Sequence, residues 1–468
     1  MKNRPTRKSF QAKLDQMVRQ LRNDIVTGRY AAGDFLPSET ALVEQYELSN
    51  KSIRRGLDQL VEEGYIIKKH RIGAMVTEAA RQSKVTITLG VSPSIERDLD
   101  LQHVLDSFHQ DNPGIRVKTI TFSTSTSFDY LNTARQYLEN GLIDVMSINH
   151  INFQEFAEHE STHLLEPLAP NAKHYPFLTE AFTLKKKTYV QPLVFTPVIL
   201  CYNKDHFREA DLLEPDSSWT WDDVARAAEK LAKPPERHGL YFHLLSENRW
   251  PVFLLQSGMT FRREEEGRYR LNGTKLMDSI ELCGELIHNR KAFPNFMSEN
   301  SDDAIQLFLQ EKLSLTLINY LSLNEFKDSD LNYDICPLPY INKPATLLIS
   351  IGMAINAKSD QKEAAGMLVD YLASEKAQRL LRERTLSIPS MKPIAEWKPE
   401  NVDETLNRPE SYYLFKDIMP TYHFHRDLNL TANQFKSLKS TLQLYWSGLL
   451  DKNELASKLE EELEASVP

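Results

Sequence analysis

The sequence predicts an α/β chain made of two unlike parts, a small basic head of helices with a β wing and a large acidic α/β body. Three observations carry that prediction. The 468 residues exceed one ordinary hydrophobic core, and 41% apolar content is enough to give two or three domains a core each. Charge is split unevenly: residues 1–84 hold 16 Lys/Arg against 10 Asp/Glu, while the remainder holds 40 against 55. Hydrophobic spacing also changes, from helical periods before residue 66 to alternating strand and helix patterns after residue 85.

In the head, Phe10, Leu14, Met17, Val18, Leu21 and Ile25 recur at helical spacing and stop before Gly28. A Gly-containing turn then leads to Ser38, the expected N-cap of a short helix carrying Leu42, Val43 and Tyr46. Ser49 caps a third helix, "NKSIRRGLDQLVEEG", which ends at Gly64. "YIIKKHRIGAMVTE" follows as two short strands around a turn at about His70 to Gly73. Helix, helix, turn, helix and hairpin is the order of a winged helix-turn-helix.

The third helix is charged against its own dipole. Lys51, Arg54 and Arg55 crowd its start and Glu62 and Glu63 its end, although a helix start is already partly positive. At ~100° per residue, Ile53, Leu57, Leu60 and Val61 share one side while Lys51, Arg54, Arg55 and Asp58 share the other. A helix entering the major groove by its N-terminal half wants this pattern: Arg can pair with guanine, Asn50 with adenine, and Lys51 with phosphate. The competing reading is a solvated charged face with Arg54 and Asp58 paired at i,i+4. The preceding short helix and the basic hairpin favour the groove.

The body reads as a strand at "KVTITLGV", a helix from about Ile95 to Gln110, a strand at "IRVKTITF", a helix to Glu139 and a strand at "LIDVMSI". Two successive β-α-β units imply a parallel sheet with right-handed crossovers. Helices at Trp221 to Ala232, Lys275 to Asn289 and Lys362 to Ala373 follow, among strands such as "LSLTLIN" and "LLISIGMAI". The polar connector "TEAARQSK" sets the expected boundaries: a head at 1–78, a linker at 79–84 and a body at 85–468.

The run "DIVTGRYAAGDFLPSETALVEQYELSNKSIRRGLDQLVEEGYI" resembles the GntR family of bacterial regulators, over about residues 10–78. The likeness lies in the "G…G…LPSE" run, the Ser that starts the third helix, two adjacent arginines and the "L..L..EG" ending. It implies contacts to a double-stranded, palindromic operator from Asn50, Lys51, Ser52, Arg54, Arg55 and, at the wing tip, His70, Arg71 and Gly73. It also implies a homodimer. Thr40 stands where the family usually has an Arg, and Asn50 and Lys51 replace its common Arg-Thr, so the operator sequence is not to be carried over from relatives.

The body resembles the larger extracellular solute-binding proteins of sugar ABC transporters. "LLEPLAP", "VQPLVFTPVILCYNKDHFREADL", "SWTWDDVARAAEKLA", "VFLLQSG", "FLQEKLSLTLIN", "YDICPLP", "LLISIGMAIN", "AAGMLVDYLASEKAQRLL" and "LSIP" have counterparts there in that order. "EKLSLTLIN" departs from a common Gly-Lys-x-Ala-Met run. The resemblance implies two periplasmic-binding-protein-like lobes closing on a carbohydrate. Ligands of open α/β sheets sit beyond the C-terminal strand ends. The candidates are therefore Ser92, Ser94, Ser123, Asn149 and His150, with Phe195 and Thr196 near a hinge strand and Trp250, Asn319, Tyr320 and Ser350 in the second half. Trp219 and Trp221 read as core or helix-start residues.

The N-terminus is charged without an apolar h-region, no ~20-residue apolar run occurs, and three scattered cysteines suit a reducing compartment. A cytoplasmic, ligand-responsive regulator without enzymatic activity, cofactor, metal or membrane partner is the expectation. His159 and His163, four residues apart, lack a third zinc ligand and read as an exposed helix face. Two alternatives stay open. One is a MocR-type regulator with a pyridoxal-phosphate-binding, aminotransferase-like domain, supported by length but by no Schiff-base lysine context. The other is a sensor of a peptide, amino acid or polyamine.

Overall fold

The protein was analysed as a computed structural model, which describes residues 13–14, 17–18, 20–22, 24–25, 28–69, 72–77, 85–122, 130–264, 267–294, 301–398 and 406–465. In the head, the helical residues within 13–25 bury Leu14, Met17, Val18, Leu21 and Ile25 against α1 (Glu39–Tyr46) and α2 (Asn50–Glu62). Ser38 and Ser49 cap these two helices by accepting the N–H groups of Ala41 and Ser52. The chain then turns through β1 (Ile66–Lys69) and β2 (Gly73–Val76), an antiparallel pair. Gly56 sits where α2 meets the leading helix; a Cβ there would lie 2.2 Å from Met17 Cε and 3.0 Å from Val18 Cγ2, so a larger residue would require the Met17 side chain to move.

The body starts with β3 (Val85–Val91), β4 (Ile115–Thr121) and β5 (Val145–Asn149), which run parallel in the order β4-β3-β5. The expected helix over 95–110 is two helices, α3 (Ile95–Leu99) and α4 (Leu101–Asp111). Asp100 breaks them apart with a left-handed backbone (φ 47°), a conformation Asp tolerates, and its carboxylate is held by His103 at 2.8 Å and by Arg384. Two more helices flank β5, α5 (Tyr130–Glu139) and α6 (His150–Glu158). α6 ends before His159, and His163 lies in a 3₁₀ turn, so this histidine pair does not share a helix face.

The central strand is β6 (Gln191–Asn203), thirteen residues, every one buried. α7 (Trp221–Leu231), β7 (His238–Tyr241), β8 (Leu313–Asn319) and β9 (Thr346–Ile355) complete the frame. The first half of β6 pairs with β9, which continues into β5; the second half pairs with β8, which continues into β7. One sheet therefore serves two lobes, its main path running β4-β3-β5-β9-β6-β8-β7. Since β6 runs with β5 and against β8, the C-terminal ends of β3 and β5 face those of β7 and β8 across a seam. Behind lobe 1 lies α8 (Lys362–Leu372), packed on β9 and β3. The chain closes with α9 (Ala432–Trp446), started by a Thr431/Gln434 capping box, and α10 (Lys452–Ala465).

Buried side chains of both lobes, including Leu138 and Phe153 of the first and Leu240 and Leu315 of the second, belong to one apolar core; a second core lies under lobe 1 and a third within the head. Among the described residues no helix is long and apolar enough to cross a membrane.

Where β6 and β9 cross between lobes the pairing register shifts at Ile351/Gly352, and a Cβ on Gly352 would lie 2.3 Å from the Gln191 carbonyl oxygen. Backbone cannot yield as a flexible side chain does. Gly352→Ala is expected to destabilise the body by about 1–3 kcal/mol in chemical denaturation; an unchanged midpoint would contradict the tight crossing.

Candidate functional site

The head presents a cationic face. Asn50, Lys51, Arg54 and Arg55 are exposed on the first two turns of α2, and Lys68 and Lys69 are exposed on β1 beside them. Arg54 does not pair with Asp58 as a solvated helix face would have it. Its Nε donates to Glu39 Oε2 at 2.7 Å, while Asp58 takes Lys68 at 2.5 Å. Both bonds hold a basic side chain over the open side of α2, and the Glu39 hydrogen bond and charge raise the Arg54 pKa further. Ser52 departs from the expected contacts: it is buried, with its hydroxyl 2.7 Å from that of Ser49 inside the cap. Gly73 lies at the start of β2 with φ 143°, and a Cβ there would lie 3.5 Å from the Phe35 ring. His70 and Arg71 fall outside the described residues.

At the other end of α2, Glu63 binds the guanidinium of Arg22 at 2.7 Å, and Arg22 also lies over the Tyr65 ring. The acidic helix end is thus matched by the leading helix. The basic start keeps a surplus of positive charge that suits phosphate, where the helix dipole adds its own attraction.

In the body, the expected ligand residues do gather at the seam, but the chain's own groups occupy most of them. Asn149 caps α6 by accepting the Asn152 N–H at 2.8 Å, and Asn319 accepts Ser322 at 3.0 Å. Thr196, fully buried, accepts the Tyr320 N–H at 2.7 Å; the Tyr320 hydroxyl donates to the Tyr412 carbonyl and accepts the Phe415 N–H. Phe195 lies among Tyr175, Phe177 and Phe415 rings, and Ser350 donates to the Val194 carbonyl. Trp250 is stacked on Phe435 of α9 with ring centroids 4.8 Å apart. Ser92 and Ser94 remain half-buried after β3, the Ser92 N–H donating to Ser147 Oγ; Ser123 is outside the described residues.

His150 begins a relay across the seam. The Ser350 N–H donates to its Nδ1 (3.3 Å), its Nε2 faces His425 Nδ1 (2.9 Å), and His425 Nε2 faces the Glu247 carbonyl (2.8 Å). A neutral tautomer on each ring, protonated at Nε2, satisfies all three bonds. Burial pushes both pKa values down, so both rings stay neutral.

Open space lies beside this packed zone, on helix faces. A cavity of about 360 Å³ is lined by Asn132 and Arg135 of α5, Glu155 of α6 and Asn433, Lys436 and Ser437 of α9. The Glu155 carboxylate pairs with the Lys436 ammonium, their side chains only 6% and 13% exposed. Lys439, three residues on, reaches Glu247 at 3.2 Å. These two ion pairs tie α9 to α6 of lobe 1 and to the loop after β7 of lobe 2. Sequence reasoning passed over the cavity residues because they stand on helices instead of strand ends. The available signal was the polar stripe Asn433, Lys436, Ser437 and Ser440 opposite Phe435, Leu438 and Leu442. Among the described residues no group of three His, Cys, Asp or Glu is placed to hold a metal ion.

Residues 93–379 match the family described as bacterial extracellular solute-binding protein, and residues 13–76 match that described as bacterial regulatory proteins, gntR family. The probable transcriptional regulator PhnF of Escherichia coli is 31% identical over 121 residues, 24% of this chain and 47% of that protein. The maltodextrin-binding protein MdxE of Bacillus subtilis is 24% identical over 49% of this chain and 56% of its own length. A galactooligosaccharide-binding protein of the same organism is 22% identical over 45% and 51%. The chain thus spans about half the length of the relatives it matches. Among solved structures, maltose-bound MalE3 of T. maritima superposes with a TM-score of 0.71 at 18% identity, covering 82% of this chain and 100% of that one. Lmo0181 of Listeria monocytogenes, in complex with cycloalternan, gives 0.68 at 18%, covering 82% and 99%. These likenesses, the lobes joined by crossing strands and the capped basic helix lead to one conclusion: the chain belongs to the bacterial extracellular solute-binding protein family and carries a gntR-family helix-turn-helix domain at its N-terminal end.

Proposed function

We propose that this protein is a cytoplasmic transcriptional regulator whose head, within residues 1–78, binds a palindromic operator as a homodimer. A body spanning 85–468, joined through 79–84, senses a sugar or oligosaccharide. The observation that carries the reading is the joining of a basic recognition helix to a two-lobed solute-binding body in one chain. Binding is the whole task; no catalytic step is part of it. The sugar assignment draws on the names of MdxE and the galactooligosaccharide-binding protein and on the maltose and cycloalternan held by proteins of the same fold.

The cavity between α5, α6 and α9 suits such a role, because a solute there touches lobe 1 and the helix that is tied to both lobes. Solute would favour the closed arrangement, and operator affinity would change by the solute's differential affinity for the two states. One feature favours a second reading. Pyranose rings prefer a broad aromatic platform, whereas this cavity is lined by Arg135, Lys436, Glu155, amides, hydroxyls, Leu131 and the small His159 imidazole, with no Trp, Tyr or Phe ring. That lining suits a zwitterion such as an amino acid or short peptide.

A melting-temperature screen separates the two readings. Under the first, malto- or galactooligosaccharides raise the melting temperature in a concentration-dependent way. A response confined to amino acids or peptides would favour the second, and silence from every class would contradict a sensing body. For the head, Arg54→Ala is expected to weaken binding to a duplex selected from random sequence by roughly 1–3 kcal/mol, with log affinity falling steeply against log salt. A flat salt response would contradict groove docking.

A further inference from the structure

The head is joined to lobe 1 by side chains as well as by the connector. Gln20, on the leading helix, gives its amide Nε2 to Asp24 Oδ1 at 3.2 Å and to Glu363 Oε2 at 3.1 Å. Asp24 is 3% exposed, lies 3.4 Å from Arg29 Nη1 through both oxygens, and shares the Gln20 amide with Glu363. Two carboxylates gathered on one amide repel each other, and a proton kept by one of them relieves that repulsion. The same junction includes Tyr65, whose ring packs against the head core on one side and the lobe 1 core on the other.

Glu363 stands in the first turn of α8, and α8 rests on β9, the strand that crosses between lobes. We propose that the Asp24–Glu363 carboxyl pair is a proton-dependent latch that docks the head on lobe 1, and that α8 carries movement of β9 to it. The second half of this proposal rests on the ligand-responsive function proposed above; the latch itself does not.

The charges around Glu363 support the device. From the head, Asp24, Arg29 and the Tyr46 hydroxyl act on it; on α8, the neighbouring Lys362 is turned away to Glu166 at 2.7 Å. Burial, and then Asp24, push Glu363 up to about 7, with Arg29 and Gln20 opposing. An undocked Glu363 returns toward its ordinary value of 4.5. Docking therefore takes up a proton: the acid contribution is full below the undocked value and is lost as pH rises through about 7. Between pH 6 and 8 the docking equilibrium is expected to weaken by up to about tenfold.

The test uses the full chain without DNA or solute. Nitroxide labels on Glu62→Cys and Lys118→Cys, both exposed positions, report the distance from head to lobe 1 by double electron–electron resonance. In the otherwise unaltered chain the distance distribution is expected to be narrow at pH 6 and broad at pH 8. Glu363→Gln, whose amide donates to Asp24 without titrating, should stay narrow at both, and Glu363→Ala should be broad at both, each with an unchanged melting temperature of the body. A distribution that ignores pH, or that ignores Glu363→Ala, would overturn the latch. Because no solute is present, failure of the sugar reading leaves this result untouched.

Discussion

Everything in the body depends on β6 belonging to both lobes. Its first half pairs with β9 and its second half with β8, so thirteen consecutive buried residues hold the two halves in one hydrogen-bonded sheet. A hinge of this kind cannot slide, because slipping one residue would turn every side chain of an all-buried strand to the wrong face. Relative motion of the lobes is left to twisting of β6 and β9, near the Gly352 crossing where the register already shifts. The groups that fill the seam, the His150–His425 relay above all, join the two sides of that crossing by hydrogen bonds.

The charge pattern of α2 has a matching explanation on the scale of one helix. Its acidic end is neutralised by Arg22 and its Asp58 by Lys68, whereas among the described residues its basic start meets only Glu39 through Arg54. Intramolecular partners thus cancel the unfavourable dipole interaction where the helix leaves the surface and leave it uncancelled where it is exposed. A local conflict that persists at an exposed, well-capped position is the mark of a surface shaped for a partner. DNA is the partner proposed for it, on the strength of the gntR-family match of residues 13–76.

Much of this was legible in the residues. The serine caps, the helical spacing of Ile53, Leu57 and Leu60, and the two β-α-β units of lobe 1 are local patterns, and they fold as local patterns predict. The break at Asp100 was not legible, since one left-handed Asp held by Arg384, almost three hundred residues away, interrupts an otherwise continuous apolar period. The strand-end rule found the seam but not the open space. Thr196 and Ser350 stand within the crossing strands and Tyr320 just past β8, and their polar groups are spent on main-chain N–H and C=O groups, because a crossing point buried on all sides must satisfy every hydrogen bond internally. The cavity arises from the packing of α9 against α5 and α6, a contact between segments some 300 residues apart that no spacing encodes.

Hydrogen exchange along the whole chain, with and without the solute that raises its melting temperature, tests the central claim most directly. If the lobes close by twisting a shared spine, amides of Gln191–Asn203 stay the slowest in both states. Protection then changes in Ala432–Trp446, in Lys362–Leu372 and in the helix within 13–25. Fast exchange along Gln191–Asn203 that solute suppresses would mean that the lobes separate as independent bodies, and would contradict the account.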